Sequence, residues 1–128
     1  MFDLESLWQE GKEFLGVSYP IIAGAMTWIS DSHFVSSVSN EGAFGCLAAG
    51  NMEPKLLDSE IEKTKELTDN PFAVNLITIA PYYKEHLKVA IRNDVPFIVF
   101  AGNFPRQPEI TMAKENGAKV MSFTSTSN

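Results

Sequence analysis

Five short apolar runs in this sequence end in tiny, amide-bearing or hydroxyl-bearing residues, and its capacity for chemistry is concentrated at those ends. "SYPIIAG" (18–24) leads into Ala23-Gly24-Ala25-Met26, "AFGCLAAG" (43–50) into Ala48-Ala49-Gly50-Asn51, and "PFAVNLI" (71–77) contains Asn75. "PFIVFAG" (96–102) delivers Ala101-Gly102-Asn103, and "AKVMSF" (118–123) delivers Ser122, with Thr124 and Ser125 just beyond. No carboxylate pair, His/Cys cluster or serine-histidine constellation stands at these ends. The residues therefore name no catalytic acid, base or nucleophile and no metal site. Small side chains at a strand end let a large planar group lie directly on the backbone. A site poor in ionisable groups but open to a flat ligand suits a cofactor that brings its own chemistry.

The elements that position these ends follow from periodicity. Nearly continuous apolar runs, bounded by Gly, Pro or Asn and recurring about every 25 residues, read as strands covered on both faces. Amphipathic stretches lie between them. "SDSHFVSSVSNEG" offers Ser30 or Asp31 as N-cap, Phe34, Val35 and Val38 as buried stripe, and Gly42 as a stop. "EPKLLDSEIEKTKELTDN" places Pro54 early and stacks Leu57, Ile61 and Thr64. "YYKEHLKVAIRND" buries Tyr83, Leu87, Ala90 and Ile91; "QPEITMAKENGA" buries Ile110 and Ala113 and ends at Gly117. A first helix is expected from Leu4 to Phe14, broken or frayed near Gly11. The order α-β-α-β-α-β-α-β-α-β implies a parallel sheet with right-handed crossovers. An open doubly wound sheet and a cut-short (βα)₈ barrel both fit. A whole barrel takes about 200 residues or more, and the chain has 128.

Composition limits the partners. The net charge is −6 and the pI near 4.8, so the basic stripe that nucleic acid requires is missing. One cysteine, Cys46, excludes an internal disulfide and fits a reducing compartment. The acidic, intermittently polar start "MFDLESLWQEGKEFLG" is no signal peptide, and no apolar run approaches the roughly 18 residues of a membrane span. A cytoplasmic domain acting on a small molecule is expected, without nucleic-acid or membrane partners. His33 and His86 are expected on solvated helix surfaces, and Cys46 inside the second strand. Trp28 either covers a ligand or packs on a neighbouring loop, and Ser122 to Ser127 is either a phosphate-side loop or a frayed end.

"YPIIAGAMTWISDSHFVSSVSNEGAFGCLAAGNM", followed by "EIEKTKELTDNPFAVNL", resembles the start of the nitronate monooxygenase (2-nitropropane dioxygenase) family, which includes flavin-dependent enoyl-acyl-carrier-protein reductases. The likeness runs collinearly from about Val17 to Leu76 and weakens after residue 77, where "VFAGNFP" is similar to the family's fourth strand. It implies a TIM barrel holding FMN, with residues 1–128 as one partial (βα)₈ domain ending after strand five. It makes Ala23, Gly24, Ala25 and Met26 the wall beneath the flavin ring, with backbone amides toward its N5/O4 edge. Asn75 hydrogen-bonds the ring's polar edge, and Gly102 belongs to the cofactor site. Two departures accompany it: Ala23 stands where many members carry glutamine, and Phe104 intrudes between Asn103 and Pro105. The family's Gly-Gly-His base and its phosphate loops are expected beyond Asn128. The implied activity is oxidation of alkyl nitronates with O2, with NAD(P)H-dependent enoyl reduction as the alternative. A third expectation is a non-catalytic half-barrel that self-associates through open edges, leaving Ile22, Val74, Ile98 and Val99 uncovered.

Overall fold

Helix boundaries form where the capping residues stand. In the computed structural model, which describes residues 3–125, the Asp3 carboxylate accepts from the Glu5 N–H at 3.1 Å and opens α1 (Leu4–Leu15). Gly16, left-handed at φ 70°, closes it. Asp31 caps α2 (Ser32–Asn40) by accepting from the Phe34 N–H at 2.9 Å. Pro54 begins α3 (Pro54–Leu67). α4 spans Tyr83–Arg92, and α5 (Gln107–Glu115) starts where the Arg106 N–H donates to Glu109 at 2.8 Å. The strands are β1 (Ile22–Ala23), β2 (Phe44–Ala48), β3 (Phe72–Ile77), β4 (Phe97–Ala101) and β5 (Lys119–Ser122).

All five strands are parallel, in the order β1-β2-β3-β4-β5. That strictly sequential order removes the reversal point of a doubly wound sheet. The helices settle the matter further. Val35 of α2, Leu57 and Ile61 of α3, Leu87 of α4 and Ala113 of α5 share one core with Leu47, Val74, Leu76, Ile98 and Phe100 of the strands. Four helices on one face of a sequential parallel sheet is the architecture of a barrel wall. Burying each large side chain of that core contributes roughly 1.5–3 kcal/mol. β2 allows the close approach of α2 because it carries Gly45, where an added Cβ would lie 2.6 Å from the Val35 carbonyl.

The opposite, inner face has a second core of Phe44, Cys46, Ala73, Phe97 and Val99, closed by Leu15. α1 seals its amino end. Phe14 meets Phe97 edge-on at 5.7 Å, and Phe97 meets Phe44 at 4.9 Å. The Lys119 ammonium lies 5.1 and 5.3 Å from the Phe14 and Phe97 ring centres and donates to the Phe14 carbonyl at 2.6 Å. The carboxyl end of the inner face stays open.

Several expectations need correction. α1 runs unbroken through Gly11, which is small because Pro20 packs against it, 2.8 Å from where a Cβ would sit. The first strand pairs over Ile22–Ala23 only, since Pro20 lacks an N–H and Gly24 lies past the ladder. Val74 and Ile98 are fully buried on the helix side, because side chains alternate faces along a strand. Of the four residues expected to be uncovered inside a half-barrel, Ile22 is 48% exposed, and the inner-face Val99 is 8% exposed. His86 is not solvated; it is fully buried, and its Nε2–H donates to the Met52 carbonyl at 2.8 Å. No helix among the described residues is long and apolar enough to cross a membrane.

Candidate functional site

Register brings the predicted residues together. Asn75 sits beside Ala48 of β2 and Val99 of β4. Two-residue alternation puts it on the inner face with Ala73, while Val74 and Leu76 face the helices. There it lines a cavity of about 160 Å³ together with Gly24 and Ala25 after β1, Cys46, Val99, and Met121 to Phe123. The cavity is mainly apolar and opens toward the carboxyl end of the sheet.

The Asn75 side chain is the distinctive group in this cavity. The residue is only 7% exposed, but its carboxamide is not sealed from solvent and opens on the cavity. Among the described residues nothing hydrogen-bonds that carboxamide, although its backbone carbonyl accepts from the Ala49 N–H at 3.3 Å. Opposite stands Gly24, where an added Cβ would meet no atom within 4 Å. Among the described residues nothing crowds this position. An amide donor and acceptor facing bare peptide fits the polar edge of a planar heterocycle.

The other predicted contacts divide. Ala23 belongs to β1 and does not line the cavity. Met26 lies at the rim, half-exposed, and its N–H is already given to the Ser30 hydroxyl at 2.9 Å. Only Gly24 and Ala25 of that segment therefore remain candidates for backbone contact with a ligand. Gly102, at φ 91°, makes a left-handed turn against Thr78, whose hydroxyl would lie 3.0 Å from an added Cβ. Its smallness is explained by that turn, and it lies outside the cavity. Ser122 ends β5 at the cavity, Thr124 and Ser125 are exposed, and residues 126–128 lie outside the described residues. Trp28 does not plug the mouth, because its side chain is 74% exposed.

Sequence reasoning missed Met121 and Phe123 as lining residues. The signal was present: on a strand registered to β4 through Met121 and Val99, alternate residues 119, 121 and 123 share the inner face. It also missed His86, which follows Tyr83 by three positions and so shares its buried face.

Among the described residues no ionisable acid or base of ordinary strength lines this cavity. Burial pushes the Cys46 thiol up to about 12, so it stays protonated and unreactive at neutral pH. Among the described residues no group of three His, Cys, Asp or Glu side chains is placed to hold a metal ion. A second cavity of about 430 Å³ lies between the first turns of α4 and α5 and includes Lys84, Arg106 and Glu109. The Tyr83 hydroxyl donates to Glu109 there at 2.8 Å. Burial, and next the Glu109 carboxylate, raise the Tyr83 pKa, leaving the phenol a donor rather than a base.

A family model described as nitronate monooxygenase matches residues 9–128. A (3aS,4S,5R,7aS)-5-hydroxy-7a-methyl-1-oxo-octahydro-1H-indene-4-carboxyl-CoA dehydrogenase of Mycobacterium tuberculosis is 34% identical over 109 residues, covering 85% of this chain and 30% of its own. A probable nitronate monooxygenase of Staphylococcus haemolyticus is 44% identical over 62 residues, 48% of this chain and 17% of that protein. FabK from Thermotoga maritima superposes with a TM-score of 0.84 at 33% identity, over 88% of this chain and 36% of that one. A nitroalkane oxidase from Streptomyces ansochromogenes shares the fold, with a TM-score of 0.83 at 21% identity over 91% of this chain and 43% of its own. The chain spans less than half the length of each of these proteins, and its five strands are part of a TIM barrel. By sequence over nearly its whole length and by the path of its strands, the chain belongs to the nitronate monooxygenase family.

Proposed function

We propose that the chain is the N-terminal part of an FMN-dependent oxidoreductase that oxidises alkyl nitronates with O2. The observation that carries this reading is the Asn75 carboxamide, without a partner among the described residues, opening on the cavity beside Gly24 and Ala25. FMN, when bound, supplies the redox chemistry. Asn75 would donate to and accept from the pyrimidine edge and so set the ring's orientation. Gly24 and Ala25 would let the ring lie on the peptide, with Met26 at its rim and Ala23 behind. Gly102 supports the site indirectly, by holding the β4 turn against Thr78. Within the cavity no described residue serves as proton acceptor, which supports a base contributed from outside residues 3–125.

The phosphate-gripping loops are expected after the fifth strand, and such grips supply much of a nucleotide's affinity. Residues 1–128 are therefore expected to bind FMN weakly. Amide and side-chain NMR shifts of the 14.2 kDa chain, followed during an FMN titration to millimolar concentration, test the site. Shifts confined to Gly24–Met26, Asn75 and Met121–Phe123 are expected; shifts elsewhere, or none, overturn the assignment. Tight stoichiometric binding would overturn the expected weakness alone.

The likeness to FabK supports a second reading, NAD(P)H-dependent enoyl-acyl-carrier-protein reduction on the same scaffold. NAD(P)H oxidation measured against nitronate-dependent oxygen uptake, with a protein extending this chain to the full barrel, separates the two. Residues 1–128 alone are proposed to self-associate without catalysis. Among the described residues β1 and β5 each pair on one side only, and unpaired parallel edges recruit further strands.

A further inference from the structure

Two helices end in the same device with one residue exchanged. Asn116 closes α5 at φ −90° and ψ 12°, and Asn93 closes α4 at φ −88° and ψ 7°. Each carboxamide nitrogen donates to the carbonyl four positions back, Met112 and Val89, both at 2.9 Å. The following residue is left-handed in both, Gly117 at φ 86° and Asp94 at φ 50°. Its N–H turns back to Lys114 at 3.0 Å in α5 and to Ile91 at 2.9 Å in α4. The next N–H, of Ala118 or Val95, reaches the carbonyl of Ala113 at 3.1 Å or Ala90 at 3.2 Å. This paired return is the Schellman stop, which favours glycine at its left-handed position.

In α5 that preference creates a reactive pair. Asn116-Gly117 is the one Asn-Gly step in the sequence. A glycine nitrogen, flanked by no side chain of its own, can reach the Cγ of the preceding asparagine. The Asp94 side chain obstructs the same approach at Asn93. The Gly117 nitrogen gives its proton to hydroxide and bonds to Cγ, the Cγ–Nδ2 bond breaks, and ammonia leaves. Water then opens the cyclic imide at either carbonyl, which leaves aspartate or isoaspartate at position 116. The folded helix end holds both reactants away from this step. The nitrogen is tied to the Lys114 carbonyl and the carboxamide to the Met112 carbonyl, so both bonds must break first.

We infer that Asn116-Gly117 is a self-modification site: an intramolecular deamidation latched by the stop of α5, whose isoaspartyl product displaces β5. Isoaspartate adds a methylene to the main chain just before the Lys119 N–H, which donates to the Pro96 carbonyl at 3.0 Å where β5 begins. β5 pairs Met121 with Val99 and brings Met121 and Ser122 to the Asn75 cavity. The modification thus reaches the cavity wall from the opposite end of the strand, and it does not depend on what the cavity binds.

The chain is held at mildly alkaline pH with and without guanidinium chloride, then digested and followed by mass spectrometry that separates aspartyl from isoaspartyl peptides. Asn116 should react at least about tenfold faster in denaturant, where the two restraining hydrogen bonds are gone. Asn93 should lag behind Asn116 there, because only the following residue then differs. Equal rates at Asn116 in both conditions overturn the latch, and equal rates at Asn93 and Asn116 in denaturant overturn the site. The isoaspartyl chain, separated and returned to native buffer, should show changed amide NMR shifts from Lys119 to Phe123, or fail to refold. Asn116→Asp adds the charge without the methylene, so it should fold and confine its changes to residues 112–118. Parent-like shifts at Met121–Phe123 in the isoaspartyl chain overturn the displacement of β5. The same remote changes in Asn116→Asp overturn it equally, since charge alone then accounts for them.

Discussion

Single residues in this protein separate groups kept for folding from groups kept for a ligand. Asn75 is 7% exposed, and its carboxamide opens on the cavity without a hydrogen-bond partner among the described residues. Asn75→Leu should therefore leave stability unchanged or raised in urea unfolding while abolishing the FMN-induced NMR shifts. A loss of stability would show that the carboxamide is structural. His86 serves folding through one ring nitrogen, while its Nδ1 is buried without a partner among the described residues. Its Nε2–H satisfies the Met52 carbonyl inside the core, so His86→Leu strands that carbonyl and should lower stability by about 1–3 kcal/mol. Cys46 reports on burial through pH. Its thiol titrates at about 12 when folded, against 9.0 for an unperturbed thiol. The native state thus holds a proton that the unfolded state gives up, and the stability this contributes is complete below pH 9 and lost as pH rises toward 12. Cys46→Ala should flatten that alkaline decline, measured by urea unfolding at a series of pH values.

Elements are tied to one another by groups that serve two of them at once. Glu60 belongs to α3, yet it receives the Ser32 N–H at the first turn of α2. Burial pulls its pKa upward, but hydrogen bonds from the Ser32 backbone and hydroxyl and the Lys63 ammonium outweigh that and hold the carboxyl below its usual range. Its stabilising contribution is therefore present above the ordinary carboxylate pKa and is lost as pH falls through the depressed folded value. Glu60→Ala should destabilise by about 1–3 kcal/mol at neutral pH, because a helix N–H loses its partner. The difference from the parent should shrink in acid, where Glu60 is protonated in both states. Equal deficits at neutral and acid pH would mean that packing, not the charge, joins α2 to α3. On the neighbouring helices Arg92 of α4 reaches Asp58 of α3 at 2.8 Å, but this exposed pair adds little.

At the scale of the whole molecule the sheet has a closed end and an open one. α1, Lys119 and the Phe14–Phe97–Phe44 stack seal the amino end, which directs any ligand to the carboxyl mouth. The lateral edges carry the cost of the partial barrel. Ile22, half-exposed at the β1 edge, and Lys119–Ser122 at the other edge should drive concentration-dependent association. Sedimentation velocity should show species above 14.2 kDa that diminish in Ile22→Lys, a charge placed on the edge. A parent chain that stays monomeric across concentrations would remove the edges as an interface.

Which segments are strands, which are helices and where most of them end was legible in the residues alone, because capping residues, prolines and apolar spacing act locally. Asp31, Pro54 and Gly117 stand where their helices begin or end, and Asn75 was legible as an amide out of place in an apolar strand. Which face each strand residue occupies emerged with packing. A one-position shift in a strand exchanges the sides of the sheet, and nothing in a continuous apolar run such as "AVNLI" marks which side is inner. For that reason Val74 and Ile98 moved to the helix side, and Met121 and Phe123 joined the cavity unannounced. His86 went into the core because a carbonyl from another loop was waiting there. Strand order, which selects a barrel wall over a doubly wound sheet, is set by how crossovers pack, and local pattern is blind to it.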